Sequence, residues 1–288
     1  MKVRKALFPA AGMGTRFLPI TKAIPKEMLP LVDKPLIQYC VEEAMAAAIK
    51  EIIIITGMGK TAIEDHFDTS FQLETILKNK GKLEELKVVQ DVSNMLHFSY
   101  TRQKEAKGLG HAVLVGRNLI GNEPFAVFLG DDIVNATVPC MKQMIDVYNE
   151  KGCSVLAVKK VPRDEVSQYG VIAGEKVGDR LYRVLDMVEK PSVEDAPSDL
   201  AIIGRYLLMP EIFDHIEVTP PGRGGEIQLT DAMKSLLKDQ PMYALEFEGD
   251  RYDAGDRLGF IKANIAFALE RDELRDDVVK FIKGLNLK

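Results

Sequence analysis

The 288 residues are 46% hydrophobic and 28% charged, the make-up of an ordinary soluble globular protein with core enough for one long α/β domain or a domain and an appendage. A net charge of −5 gives no support to a nucleic-acid-binding surface, and no apolar run approaches the roughly 20 residues of a membrane span. Three cysteines, Cys40, Cys140 and Cys153, lack metal-ligand spacing and cannot all pair internally, so they read as small buried hydrophobes of a reducing compartment. The basic start at residues 1–5 leads into a strand and not into a signal peptide's apolar region, so the chain reads as cytoplasmic.

An apolar strand at 6–8 runs into Pro9-Ala10-Ala11-Gly12-Met13-Gly14-Thr15-Arg16, and the loop continues through Pro25-Lys26-Glu27-Met28-Leu29-Pro30. Glycines let backbone N–H groups approach an anion closely, and such groups form a cradle for phosphate oxygens. Arg16 and Lys26 add a planar fork and a point charge, a pair suited to a polyphosphate. Taken alone, the stretch is equally a glycine-rich turn with solvated cations. Asp33-Lys34-Pro35 looks like a helix start, and Leu36, Ile37, Cys40, Val41, Ala44, Met45 and Ala48 repeat at helical spacing behind it. Residues 51–56 hold four consecutive isoleucines, a strand apolar on both faces, as in a parallel sheet covered by helices above and below. The opening is therefore β-loop-α-β, the first half of a doubly wound nucleotide-binding sheet.

Gly57-Met58-Gly59-Lys60-Thr61 ends in G-K-T like a phosphate-binding P-loop, but that motif needs a glycine where Ile54 stands inside the strand, so the loop is too short to wrap a phosphate. Residues 64–95 are charged and helical in pattern, an insertion before the next strand near 98–101 that reads as a plain surface element, an oligomer contact or a lid. A helix is expected from Gly108 to Leu119. A strand at 125–129 then delivers Gly130-Asp131-Asp132 at its carboxyl end, where doubly wound folds place ligands. A helix at 139–151 and a strand at 154–160 follow. Beyond them the pattern turns strand-rich, at 171–173, 181–189, 202–209 and 242–248, with helices at 211–216 and 226–238 and a helical close at 257–268 and 272–283. No repeat and no Gly/Ser/Pro linker interrupts it, so a single continuous unit over 1–288 is expected.

Asp131 and Asp132 repel one another unless a cation intervenes, and a hard ion such as Mg²⁺ takes one or two carboxylates plus substrate phosphates. Neighbours on a strand point to opposite faces, so the two do not both ligate one ion. Glu189-Lys190-Pro191 ends a strand with an acid, a base and a proline; in isolation it is a surface ion pair. The four histidines, His66, His97, His111 and His215, are scattered and receive no catalytic role.

The pattern G-x-G-T-R-[FL]-x-P over 12–19, followed by P-K-E-x-L-P over 25–30, resembles the signature of the sugar-1-phosphate nucleotidyltransferases. Segments matching in the same order are Gly130-Asp131-Asp132, Tyr169-Gly170-Val171, Glu189-Lys190-Pro191, Gly224-Gly225-Glu226-Ile227-Gln228-Leu229-Thr230-Asp231 and Tyr252-Asp253-Ala254-Gly255, so the resemblance covers nearly the whole chain. It implies a Rossmann-like, glycosyltransferase-A-like α/β fold, doubly wound and mostly parallel, with a smaller strand-rich sugar-binding part. The nucleotide-binding part is expected over about 1–135, the sugar-binding part over about 136–255 and C-terminal helices over about 256–288.

The resemblance further implies nucleotide contacts from Ala11, Gly12, Gly14, Thr15, Arg16, Lys26, Glu27, Gln103 and Gly108, with Gln103 and Gly108 at the base edge. Asp132, Gly170, Glu189 and Lys190 fall to the sugar phosphate, and Asp131 and Asp253 to Mg²⁺. Within the family the likeness is to members that join UTP and glucose 1-phosphate into UDP-glucose and pyrophosphate, with Arg16, Lys26, Asp131 and Lys190 in the catalytic roles. A homodimer or homotetramer is implied as well, and no nucleic-acid or membrane partner. Three alternatives stand beside this. One is a thymidylyltransferase that prefers dTTP. Another is a silent relative that binds nucleotide sugar and regulates, against which every matched charge is intact. The last is an NAD-linked oxidoreductase, which would need a third glycine where Phe17 stands.

Overall fold

The computed structural model describes residues 1–285. The first strand, β1 (Lys5–Pro9), leads through three short 3₁₀ turns to a small hairpin, β2 (Pro30–Leu31) and β3 (Lys34–Pro35), before α1 (Leu36–Ala46). The helix begins just beyond the expected Asp33-Lys34-Pro35 start. The residue before a proline is driven into extended backbone, so Lys34 pairs with Leu31 instead of opening the helix. Then come β4 (Glu51–Thr56) and the insertion, which is helical throughout: α2 (Thr61–Phe67), α3 (Phe71–Asn79) and α4 (Leu83–Ser93). Neither α3 nor α4 buries a residue fully.

Next are β5 (His97–Arg102), α5 (Leu109–Val115), α6 (Arg117–Ile120), β6 (Phe125–Phe128) and β7 (Asp132–Asn135), then α7 (Cys140–Lys151) and β8 (Ser154–Lys160). The expected helix through Leu119 is interrupted at Gly116, where only glycine fits, since a Cβ would lie 2.2 Å from the Leu7 side chain. The strand-rich part holds β9 (Gly170–Gly178), β10 (Leu181–Glu189) and β11 (Leu200–Leu208). It continues with α8 (Ile212–Val218), α9 (Leu229–Leu236), β12 (Met242–Glu246) and β13 (Asp250–Asp253), and the chain closes with α10 (Arg257–Leu269) and α11 (Asp272–Gly284). The helix expected from 226 starts at Leu229, because Ile227 is engaged elsewhere: its N–H donates to the Lys107 carbonyl (2.8 Å) and its carbonyl accepts from Gly110 (2.9 Å).

Nine strands form one sheet in the order β5-β4-β1-β6-β11-β8-β12-β10-β9. β5, β4, β1 and β6 are parallel, as is the β8–β12 pair, whereas β11 and the β9–β10 hairpin run antiparallel to their neighbours. The sheet as a whole is thus mixed, and its parallel character is concentrated in the half that carries the glycine-rich loop. Alternate residues of one strand feed opposite cores. Ala6, Phe8, Ile52 and Ile54 pack with Leu36, Ile37, Met141 and Met144 on one face. Leu7, Ile53 and Ile55 pack with Val113, Ile120, Phe213 and Met233 on the other. Burial on both faces is what the run of isoleucines requires, and it makes the fold doubly wound.

Candidate active site

The carboxyl ends of β1 and β6 open into a cleft of about 770 Å³, within the size range of small-molecule sites. Of the residues singled out above, Ala11, Gly12, Arg16, Lys26, Gln103 and Gly108 line it, together with Asp131, Asp132, Gly170, Glu189, Lys190 and Asp253. Gly14, Thr15 and Glu27 lie outside its wall. Gly14 shapes the loop: its φ of 64° is left-handed, its carbonyl accepts from Thr21 Oγ1 (2.8 Å), and a Cβ would lie 3.1 Å from Lys26 Cβ. Glu27 is 1% exposed and turned inward, where Lys60 Nζ donates to its Oε2 at 2.7 Å. The lysine of the P-loop-like sequence is therefore a strut beneath the first glycine-rich loop.

At the front of the loop Lys26 Nζ donates to Asp131 Oδ2 at 2.5 Å, and Arg16 Nη1 donates to the Gly255 carbonyl at 3.1 Å. Burial works against the Lys26 charge, but Asp131 and Glu27 outweigh it and hold its pKa above the usual lysine value. Burial likewise opposes the Asp131 carboxylate, and the Lys26 charge and hydrogen bond bring its pKa below the ordinary one. Both groups are thus ionised in the folded protein.

A two-stranded antiparallel ribbon sets the acidic centre. β7 pairs with β13 in the register Asp132↔Asp253, which unites carboxylates from distant parts of the chain. Arg251, two residues before Asp253 and so on the same strand face, grips Asp132 with Nε (2.7 Å) and Nη2 (3.2 Å). It also donates to Asp253 Oδ2 (3.1 Å) and to the Tyr169 hydroxyl (3.1 Å). Asp132 Oδ2 accepts a further bond from the Gly204 N–H at 2.9 Å. The neighbouring aspartates have therefore separated, Asp132 toward Arg251 and Asp131 toward Lys26.

Asp131 Oδ2 and Asp253 Oδ1 converge: a Cβ on Gly255 would lie 2.7 Å and 3.0 Å from them. Burial raises the Asp253 pKa; Arg251 opposes this, and Asp132 and Asp131 add repulsion. Asp131 Oδ2 accepts from Lys26 and Asp253 Oδ1 from the Gly255 N–H (3.0 Å), and two carboxylate oxygens this close together fit a hard divalent ion. Among the described residues no three His, Cys, Asp or Glu side chains form a ligand cluster, so the remaining ligands of such an ion would be phosphate oxygens and water.

At the far end of β10, Glu189 Oε2 accepts from Thr230 Oγ1 (2.6 Å), and Lys190 Nζ lies 3.5 Å from Oε1. Lys190 has a φ of 46°, the left-handed region that costs a non-glycine residue about 1–2 kcal/mol. Its N–H is tied to the Tyr169 carbonyl (2.9 Å), and Arg223 donates to its carbonyl. Gly170 has no room for a side chain, since a Cβ would meet Thr230 Oγ1 at 3.0 Å and Glu189 Oε2 at 3.2 Å.

Two arginines escaped the sequence reading. Arg251 carried a faint signal in its i, i+2 spacing to Asp253. Arg205 carried none. It is fully buried behind the Gly130-Asp131-Asp132 turn, donates to Glu43 Oε2 (2.8 and 3.0 Å) and to the Leu129 and Gly204 carbonyls (3.3 and 3.0 Å), and lies over the Phe128 ring.

A doubly wound sheet whose cleft gathers a glycine loop, cations from separate segments and a convergent carboxylate pair defines a nucleotidyltransferase. The chain belongs to the Nucleotidyl transferase family, whose model matches residues 5–269. It is 54% identical over 286 residues to UTP–glucose-1-phosphate uridylyltransferase 1 of Staphylococcus saprophyticus, covering 99% of this chain and 100% of that one. A solved UDP-glucose pyrophosphorylase complexed with UDP-glucose is 50% identical, with a TM-score of 0.86 over 94% of this chain and all of its own. UTP-bound UGPase from Acinetobacter baumannii is 37% identical, with a TM-score of 0.92 over 99% of this chain and all of its own.

Proposed function

We propose that this enzyme converts UTP and glucose 1-phosphate into UDP-glucose and pyrophosphate. The observation that carries the reading is the meeting of Arg16, Lys26, Lys190 and the Asp131–Asp253 pair in one cleft, with no nucleophile–base pair beside them. A phosphate oxygen of the sugar phosphate attacks the α-phosphorus of the nucleotide in line, and pyrophosphate leaves. Phosphoryl-type transfer of this kind rests on positioning and charge neutralisation, which these side chains supply. Arg16 and Lys26 hold the triphosphate. Lys190 holds the phosphate of the sugar phosphate and Glu189 accepts from the sugar hydroxyls, Gly170 gives a backbone surface against the ring, and Asp132, fixed by Arg251, stays clear of the ion. Asp131 and Asp253 would hold a divalent metal, which we take to be Mg²⁺; bound there, it would neutralise developing charge on the phosphates.

The same reading gives Gln103 and Gly108 to the base, and divides the chain into a nucleotide part over about 1–135, a sugar part over about 136–255 and C-terminal helices over about 256–288, of which 286–288 lie outside the described residues. It places the enzyme in the cytoplasm as a homodimer or homotetramer. The free cysteines support a reducing compartment, and no helix among the described residues is long and apolar enough to cross a membrane. A silent regulatory relative would be expected to have lost one of the charges, and all are in place. The test is a pyrophosphate-release assay crossing nucleoside triphosphates with sugar 1-phosphates. The maximum is expected at UTP with glucose 1-phosphate; a maximum at dTTP would favour the thymidylyltransferase alternative, and one at ATP or GTP would remove Gln103 from the base edge.

A further inference from the structure

The Gln103 side chain is held in one orientation. Its Nε2 donates to the Gly108 carbonyl at 3.2 Å and to His111 Nδ1 at 2.9 Å, which uses both N–H groups of the amide. A flipped amide would set its oxygen against a carbonyl that can only accept, so Oε1 must point the other way. Oε1 has no hydrogen-bond partner among the described residues, yet it is not sealed in the interior, and Gln103 lines the cleft. The cleft therefore presents an acceptor at this point and withholds the donor.

Uracil and thymine carry an N–H at ring position 3, whereas cytosine carries a lone pair there. An acceptor bonds the first two and repels the third. We infer that His111 is a positioning residue for nucleobase choice: by accepting from Gln103 Nε2 it fixes the amide as an acceptor and so makes the cleft reject CTP. This rests on the reading of Gln103 as the base contact.

The surroundings hold His111 and Gly108 where this requires. His111 sits in the first turn of α5, and its Nδ1 accepts only while unprotonated; burial and nearby Lys107 keep its pKa below the usual value, against a smaller opposing pull from Glu105. Gly108 has a φ of 98°, and a Cβ there would lie 2.7 Å from Glu226 Cβ and 2.9 Å from the Ile227 carbonyl, so no side chain fits. Ile227 bonds to Lys107 and Gly110 on either side of it and clamps the turn.

The experiment compares kcat/KM for UTP and CTP, at fixed glucose 1-phosphate, in the wild type, His111→Leu, His111→Gln and Gln103→Met. His111→Leu removes the acceptor at similar bulk and should lower the UTP:CTP ratio about 10-fold, with the apparent KM for glucose 1-phosphate unmoved. In His111→Gln an amide oxygen accepts the same N–H, and most of the ratio should return. A wild-type ratio in His111→Leu, alongside a lost ratio in Gln103→Met, overturns the role of His111 alone. A ratio preserved in Gln103→Met overturns the reading of Gln103 and this inference with it. An equal fall for both nucleotides in His111→Leu marks a merely structural histidine and also overturns it.

Discussion

The two ends of the cleft are built on different plans. At the acidic end every charge is over-connected: Asp132 is held by Arg251 and Gly204, Asp131 by Lys26, and Arg251 reaches on to Asp253 and Tyr169. Behind it lies a second layer, with Arg205 bonded to Glu43, to the Leu129 carbonyl just before the turn and to the Gly204 carbonyl of its own strand. At the end formed by Glu189 and Lys190, the Lys190 side chain is 44% exposed and has one long ion pair to Glu189, and its position depends on backbone held in a left-handed conformation. Such a difference suits the tasks. An acidic centre must keep several like charges together in a low-dielectric place, which only a network can do. A lysine that receives an anionic group must not already be saturated with acids.

Breaking the network should cost the most. Arg205→Ala leaves Glu43 buried without its partner, and a loss of about 3–5 kcal/mol of folding stability is expected, read as a fall in the urea midpoint. A loss below about 1 kcal/mol would mean that the second layer does not support the first. Asp131→Asn and Asp253→Asn are nearly isosteric and should leave the fold in place while kcat falls on the order of 10²-fold or more. Near-normal Mg²⁺-dependent turnover in both would put the metal elsewhere.

The other end should respond in one substrate's kinetics alone. Lys190→Ala should raise the apparent KM for glucose 1-phosphate about 10-fold or more, from loss of a charge-assisted contact, with UTP parameters little changed. Arg16→Ala should act in the opposite sense, through UTP. If Lys190→Ala disturbs only UTP, the assignment of the two ends is reversed. The smallest effect belongs to the insertion, where Lys87 and Asp91 pair on the exposed face of α4. Lys87→Ala should change stability by no more than about 0.5 kcal/mol and leave turnover unaltered, as for isolated surface pairs. A marked loss of activity there would give α2–α4 a part in the reaction.

Much of this was legible from the chain alone, because it is written in local pattern. Four consecutive isoleucines demand a strand buried on both faces, whereas Gly12, Gly14, Arg16 and Lys26 read equally as a phosphate cradle or a glycine-rich turn until the longer motif is set beside them. The spacing around Lys60 was enough to refuse it a phosphate, though not to show that it braces Glu27. Strand alternation was the expected cause of the separation of Asp131 from Asp132, but Asp131 lies in the turn before β7, and it is Lys26 and Arg251 that draw the two carboxylates apart. What the sequence could not show is which distant segments touch. The ribbon that sets Asp253 beside Asp132 depends on the register of two short strands far apart in the chain, and Arg251 acquires its function only in that pairing. Arg205 lies inside a wholly apolar-looking strand, and His111 reads as one more helical residue until Gln103 is brought within 2.9 Å of it. Hydrophobic period and turn chemistry act over a few residues and can be read in order, whereas convergence of charges is fixed by sheet order and register, which exist only once the chain has folded.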